Sequence, residues 1–138
     1  MKKRLLVDIN VVLDVLLDRK PHNAASAAIC AAVETGKAEG FLAAHAVTTI
    51  HYLLCREQGA NRAAQSVRTL LRIFAVAPVD AHVIQQALQS SQPDFEDSVT
   101  ASAAQSAGCH LIVTRDPKGF RRTAVRALDP TQALPLLR

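Results

Sequence analysis

Leu5-Leu6-Val7-Asp8-Ile9-Asn10-Val11-Val12-Leu13 is the stretch on which the fold turns. Three apolar residues make a run of the length a buried strand needs, an aspartate closes it, and Val12, Leu13, Leu16 and Leu17 then recur at helical spacing. The unit reads as strand, acidic turn, helix. Near the other end Leu111-Ile112-Val113-Thr114 repeats the first part of that pattern, and Asp116 follows it. Strands alternating with helices predict a parallel sheet covered on both faces. Ligands of such sheets bind outside the carboxyl ends of the strands, where both aspartates fall.

The intervening sequence fills in the alternation. Residues 23–33 are alanine-rich and helix-forming, with Gly36 as a stop before a short strand at 40–44. Val47, Ile50, Leu53 and Leu54 repeat helically, residues 61–71 give another helix, and 72–77 form a β-branched apolar run that Pro78 separates from a helix at 81–88. On that helix Val83, Ile84, Ala87 and Leu88 are expected to face inward. Gln92-Pro93-Asp94 opens a helix that runs through 107 until Gly108 ends it before a strand at 110–114. A strand at 125–128 and a terminal helix interrupted by Pro135 complete the chain. With 138 residues, 49% of them hydrophobic, and no repeat, low-complexity tract or linker, the expectation is one domain over residues 1–138 that buries its core without staples.

Lys and Arg outnumber Asp and Glu by 16 to 12, giving a net charge of +4 that suits an anionic partner such as nucleic acid without identifying one. The basic residues are scattered apart from Lys2-Lys3-Arg4 and Arg121-Arg122. Cys30, Cys55 and Cys109 form no C-x-x-C pair and read as buried thiols of a reducing cytoplasm. The basic start is followed by an apolar run that Asp8 and Asn10 interrupt, with no small-residue cleavage site after it. Neither a secretory signal nor a membrane span is expected.

Asp94 and Asp97 are three apart at the start of a helix, so their carboxylates project from one side. Two readings stand: a shared cation, or Asp94 as N-cap with Glu96 and Asp97 favouring the positive end of the helix dipole. Asp8 and Asp116 each have a turn-forming alternative, the latter in Asp116-Pro117. The conjunction of Asp8, Asp94, Asp97 and Asp116 at one predicted edge favours a metal site. Hard oxygen donors without Cys or clustered His select magnesium or manganese over zinc. Asn10 either bonds Asp8 and fixes its rotamer or caps the first helix, Thr114 offers a hydroxyl, and Asp14 and Asp18 are expected on a solvated helical face. His51, on the side of Val47 and Leu54, is expected to be partly buried and structural.

Leu6-Val7-Asp8-Ile9-Asn10-Val11-Val12-Leu13-Asp14, Asp94-Phe95-Glu96-Asp97 and Ile112-Val113-Thr114-Arg115-Asp116-Pro117-Lys118-Gly119-Phe120, in that order, resemble the PIN domain of VapC-type toxin ribonucleases across essentially the whole chain. The resemblance implies a three-layer α/β/α sandwich with a five-stranded parallel sheet, often dimeric. It further implies acidic residues holding Mg²⁺, with Mn²⁺ as a substitute, for cleavage of single-stranded RNA to 5′-phosphate and 3′-hydroxyl ends. By motif position Asp8, Asp97 and Asp116 match the family acids and Asp94 the extra acid of a subgroup. Many PIN domains carry a glutamate on the helix after the second strand, where this chain reads Thr48-Thr49-Ile50-His51-Tyr52. Asp94 or Glu96 is the expected compensation. Arg115, Lys118, Arg121 and Arg122 are candidates for holding the RNA backbone, and an antitoxin protein is the implied partner.

Two other classes compete with a metal-dependent endoribonuclease. One is a PIN-like module that binds RNA or protein without catalysis, for lack of that glutamate. The other is a phosphatase of the haloacid dehalogenase type, disfavoured because its D-x-D pair is here Asp8-Ile9-Asn10 and no suitable lysine motif follows. A phospho-acceptor receiver domain is disfavoured because its paired acids would precede the accepting strand.

Overall fold

β1 (Lys3–Val7) lies in the middle of a five-stranded sheet in the order β3-β2-β1-β4-β5, with β2 (Ala38–Ala43), β3 (Ala75–Ala77), β4 (Leu111–Val113) and β5 (Arg126–Leu128). Every pairing is parallel. The computed structural model describes residues 2–137, so residues 1 and 138 of the expected domain span lie outside it.

The chain builds outward from β1 in one direction through β2 to β3, then returns to add β4 on the other side of β1. The order therefore reverses between β1 and β4, and a crevice opens at the carboxyl ends of those two strands. Strand residues alternate between the faces. Leu5, Val7, Leu111 and Val113 pack with α1 (Ile9–Leu16), α2 (Asn23–Glu34) and α4 (Ala60–Ile73), whereas Leu6 and Ile112 pack with α5 (Ala81–Leu88) and α6 (Phe95–Ser106). Ile50 and Leu54 of α3 (Ala44–Gln58) join the first cluster and Ala46 joins the second. This is the three-layer α/β/α sandwich read from the sequence.

Several local expectations need correction. α4 continues to Ile73 and β3 begins only at Ala75, because helical hydrogen bonding runs on into the first residues of the run expected to be a strand, as far as the Phe74 N–H, which donates to the Leu70 carbonyl at 2.8 Å. Leu88 is 69% exposed. It lies five positions from Val83, which rotates it off the face that buries Val83 and Ala87. His51 is exposed for a similar reason, one position beyond the Ala46, Ile50 and Leu54 stripe of α3. Of the thiols only Cys109 is buried, with Cys30 and Cys55 half-buried. The chain closes with α7 (Pro130–Ala133) and a 3-10 turn, Leu134–Leu137, that accommodates Pro135. Among the described residues no helix is long and apolar enough to cross a membrane.

Candidate metal centre

Val7 pairs in register with Val113, so the next residues, Asp8 and Thr114, meet at the edge where the strand order reverses. The Asp8 N–H donates to the Val113 carbonyl at 2.9 Å, extending the ladder one step past the strands. Alternation along β1 then turns the Asp8 side chain toward the layer that holds α6. Both of its oxygens are engaged: Oδ1 accepts from the Ile9 N–H at 2.9 Å, capping α1, and Oδ2 accepts from the Thr114 hydroxyl at 2.8 Å. Asn10 follows neither expected course. Its amide reaches the Thr114 hydroxyl at 3.4 Å and its carbonyl oxygen accepts from the Arg115 N–H at 3.2 Å, so it ties α1 to the turn after β4. Thr114 is fully buried, and its hydroxyl also accepts from the Asp116 N–H at 3.1 Å. One oxygen thus joins two of the candidate acids.

Asp94 is the N-cap of α6, its Oδ1 accepting from the Asp97 N–H at 3.0 Å. The capping role and a ligating role are compatible, since the cap uses one of two carboxylate oxygens. Asp97 stands half-buried on the first turn, and burial pushes its carboxyl up to about 6, reinforced by the charges of Asp94, Asp8, Glu96 and Asp116. The Asp97 carboxyl thus lies within the electrostatic reach of the other acids of this edge. Asp116 introduces the 3-10 turn Pro117–Phe120, which folds Gly119 back against the acids. A Cβ on Gly119 would lie 3.0 Å from Asp97 Oδ2 and 3.5 Å from Asp116 Oδ2. Glycine leaves that space open.

His45, on the first turn of α3, belongs to the same neighbourhood and was not singled out by spacing or motif. Thr100 donates its hydroxyl to the Glu96 carbonyl at 3.1 Å, so the contact at 3.3 Å between Thr100 Oγ1 and His45 Nε2 assigns the ring proton to Nε2. Nδ1 is then a bare acceptor, buried and without a partner. Burial lowers the His45 pKa, opposed by the negative charges of Glu96 and Asp8. Burial raises the Asp8 pKa, against the lowering effect of its bonds to Thr114 and Ile9. The signal that would have found His45 is the edge rule applied to the second strand, because β2 ends at Ala43, two residues before it.

Asp14 reverses its expectation. It is fully buried, accepts from the Ser26 hydroxyl at 3.1 Å, and lies 2.8 Å from Arg115 Nε. Arg115 is therefore committed inward, whereas Lys118, Arg121 and Arg122 are exposed beyond the last acid. Glu96 is exposed beside Asp97.

The PIN domain family pattern matches residues 4–118, which contain every one of these acids. The chain belongs to the PIN domain family. This PIN domain is 21% identical over 131 residues to Ribonuclease VapC1 of Aquifex aeolicus (strain VF5), covering 91% of this chain and 90% of that protein. Among solved structures, FitAcB from Neisseria gonorrhoeae matches it with a TM-score of 0.73 at 19% identity, over 92% of this chain and 98% of that one. DNA-bound VapBC from Salmonella typhimurium matches with a TM-score of 0.68 at 16% identity, over 94% and 99%. Both likenesses concern the fold.

The donor set of this PIN domain fits a hard divalent cation: carboxylates, a hydroxyl, and open space over Gly119. Among the described residues, no three His, Cys, Asp or Glu side chains are grouped tightly enough to hold one ion as they stand. Closing on a cation thus requires side-chain rotation, which is open to the exposed Glu96 and Asp116, limited at Asp94 by its N-cap bond, and closed to the doubly bonded Asp8. A groove of about 550 Å³ between α1, α2 and α4 is lined by none of the candidate acids, so it and the acidic edge are different places.

Proposed function

We propose that this PIN domain is a Mg²⁺-dependent endoribonuclease and the toxin of a type II toxin–antitoxin pair. The observation that carries the reading is the geometry of the acidic edge: the Thr114 hydroxyl donates to Asp8 and accepts from the Asp116 N–H, and the Asp97 and Asp116 carboxylates both lie over Gly119, an arrangement of like charges that a divalent cation relieves. Asp8, Asp97 and Asp116, joined by Asp94, are the residues that would hold the ion. When bound, Mg²⁺ supplies charge neutralisation at the scissile phosphate and activates the attacking water. Asp8 gives the site its fixed point, held by Ile9 and Thr114. Thr114 places Asp116 relative to Asp8, and the N-cap bond from Asp94 does the same for the first turn of α6. Lys118, Arg121 and Arg122 supply exposed positive charge just past Asp116 for the RNA backbone. Arg115, turned to Asp14, is not free for that purpose as it stands.

The relative named Ribonuclease VapC1 and the neighbours solved as VapBC and FitAB complexes support the nuclease and the antitoxin partner. A homodimer in the cytoplasm completes the reading, on the family resemblance alone. The test is cleavage of a panel of structured and single-stranded RNAs by the purified protein with Mg²⁺, Mn²⁺ or chelator, beside Asp8→Asn. Cutting that needs metal and is lost in Asp8→Asn supports the reading. Cleavage that persists in chelator sinks it.

A second reading, a non-catalytic module that binds RNA or protein, draws on the separation of the carboxylates and on α3, which offers His45 rather than a carboxylate at this edge. Folded protein that retains RNA without cutting it in any metal would favour that module.

A further inference from the structure

The turn that delivers Asp116 is anchored from below by an ion pair between a fully buried aspartate and a partly exposed arginine, and the pair is poorly suited to a purely stabilising role. Asp14 is fully buried, and its Oδ1 has no hydrogen-bond partner. Arg115 Nε lies 2.8 Å from Asp14 Oδ2 but is not aligned to form a hydrogen bond. A buried carboxylate left this incompletely satisfied gains little over an apolar residue of the same volume, because its desolvation offsets the attraction of the guanidinium. Its distinctive property is where it sits. Arg115 is the single residue between Thr114, which bonds Asp8, and Asp116. Its N–H is held by Asn10 of α1, and its side chain by Asp14, one helical turn further along α1. Ser26 of α2 fixes the carboxylate that receives it.

We propose that Asp14 and Arg115 are positioning residues: the pair draws the Thr114–Asp116 turn down onto α1 and thereby sets where the Asp116 carboxylate stands relative to Asp8 and Asp97. The inference rests on the ribonuclease reading of the acidic edge and assigns a role to two residues outside the acid set. It also removes Arg115 from the residues that touch RNA.

The test compares the wild type with Asp14→Asn and with the double variant Asp14→Leu/Arg115→Met, in which the added methyls of Leu occupy space the guanidinium leaves. Three quantities are read: the thermal midpoint, the affinity for Mn²⁺ without RNA, and kcat and KM separately for an RNA the wild type cuts. Positioning predicts that the double variant regains a wild-type midpoint while its Mn²⁺ affinity and kcat stay roughly tenfold or more below wild type, the range seen when support behind a metal ligand is removed. KM stays near the wild-type value in both variants. Recovery of kcat and Mn²⁺ affinity together with the midpoint overturns the proposal and leaves the pair a packing element. A raised KM with unchanged kcat overturns it in favour of Arg115 as an RNA contact. Wild-type protein that binds Mn²⁺ without cutting RNA removes the ribonuclease reading alone, and the Mn²⁺ comparison still decides the positioning role. Wild-type protein that does neither removes both.

Discussion

Asp8 and Asp14 are both aspartates withdrawn from solvent at the two ends of α1, and their surroundings are opposite. Asp8 opens toward other carboxylates, with hydrogen bonds from a hydroxyl and an amide but no cation within contact. Asp14 faces a guanidinium and a serine of α2 and is fully buried. At the edge charge accumulates, whereas beneath the edge it is cancelled. The difference separates a region where like charges are left facing one another from one where a negative charge meets a positive one. Removing a charge should therefore have opposite signs in the two places.

The largest expected effect is on activity. Asp8→Asn keeps the cap on α1 and the shape of the edge but removes the fixed carboxylate, so cleavage should fall by at least about 100-fold with the circular dichroism spectrum unchanged. Wild-type rates in that variant would break the edge half of the comparison. Next comes stability beneath the edge. Asp14→Asn leaves the partly exposed Arg115 charge without its partner and should lower unfolding stability by about 2 kcal/mol in urea titration, less than for a fully buried pair because the guanidinium keeps some contact with water. A loss under about 0.5 kcal/mol would mean that Arg115 escapes to solvent.

Gly119→Ala should come third. The added methyl stands 3.0 Å from Asp97 Oδ2, so Mn²⁺ affinity measured by calorimetry should weaken roughly tenfold while the thermal midpoint moves little. Unchanged affinity would place the cation away from that glycine.

Asp97→Asn gives the smaller, opposite-signed effect on stability. The folded-state pKa of Asp97, about 6, exceeds the ordinary 3.8, so the folded protein holds this proton more tightly than the unfolded chain. The stability that comes with the proton is complete below about 3.8 and lost as pH rises through about 6. In chelator at pH 7.5 the variant should thus be more stable than wild type, on the order of 1 kcal/mol after allowance for solvent screening of a half-buried group. The advantage should vanish near pH 4, and a variant less stable than wild type at pH 7.5 would contradict the charge accumulation. Last, His51→Ala on the exposed side of α3 should change stability by less than about 0.5 kcal/mol and leave cleavage intact.

How much of this was legible in the sequence depends on what kind of signal each element leaves. β1, β4 and the alternation around them were readable, because apolar runs of strand length and helical spacing are local properties. The placing of Asp8 and Asp116 past the ends of β1 and β4 followed from one topological rule, that parallel strands present their carboxyl ends at a common edge, whereas Asp94 and Asp97 open a helix that no strand precedes directly. Asp14 was not readable. Its position on α1 is polar by composition, and only the arrival of Arg115 from the far end of the chain makes burial tolerable. His45 escaped for a related reason, since its neighbours Thr100 and Glu96 come from α6. Leu88 and the start of β3 failed on phase, where a one- or two-residue shift moves a side chain to another face or a strand into a helix.

The seam between β1 and β4 also sets an order of events in time. Asp8 is made almost at once during synthesis, but the hydroxyl that holds it belongs to Thr114, and β4 takes its place beside β1 only after three other strands exist. A nascent chain that ends before residue 113 has the first acid and no seat for it. At about 5–20 residues per second on the ribosome, several seconds or more separate the two. Until the late strand docks, every shorter product of translation lacks the seam that seats Asp8, so the topology itself delays completion of the acidic edge.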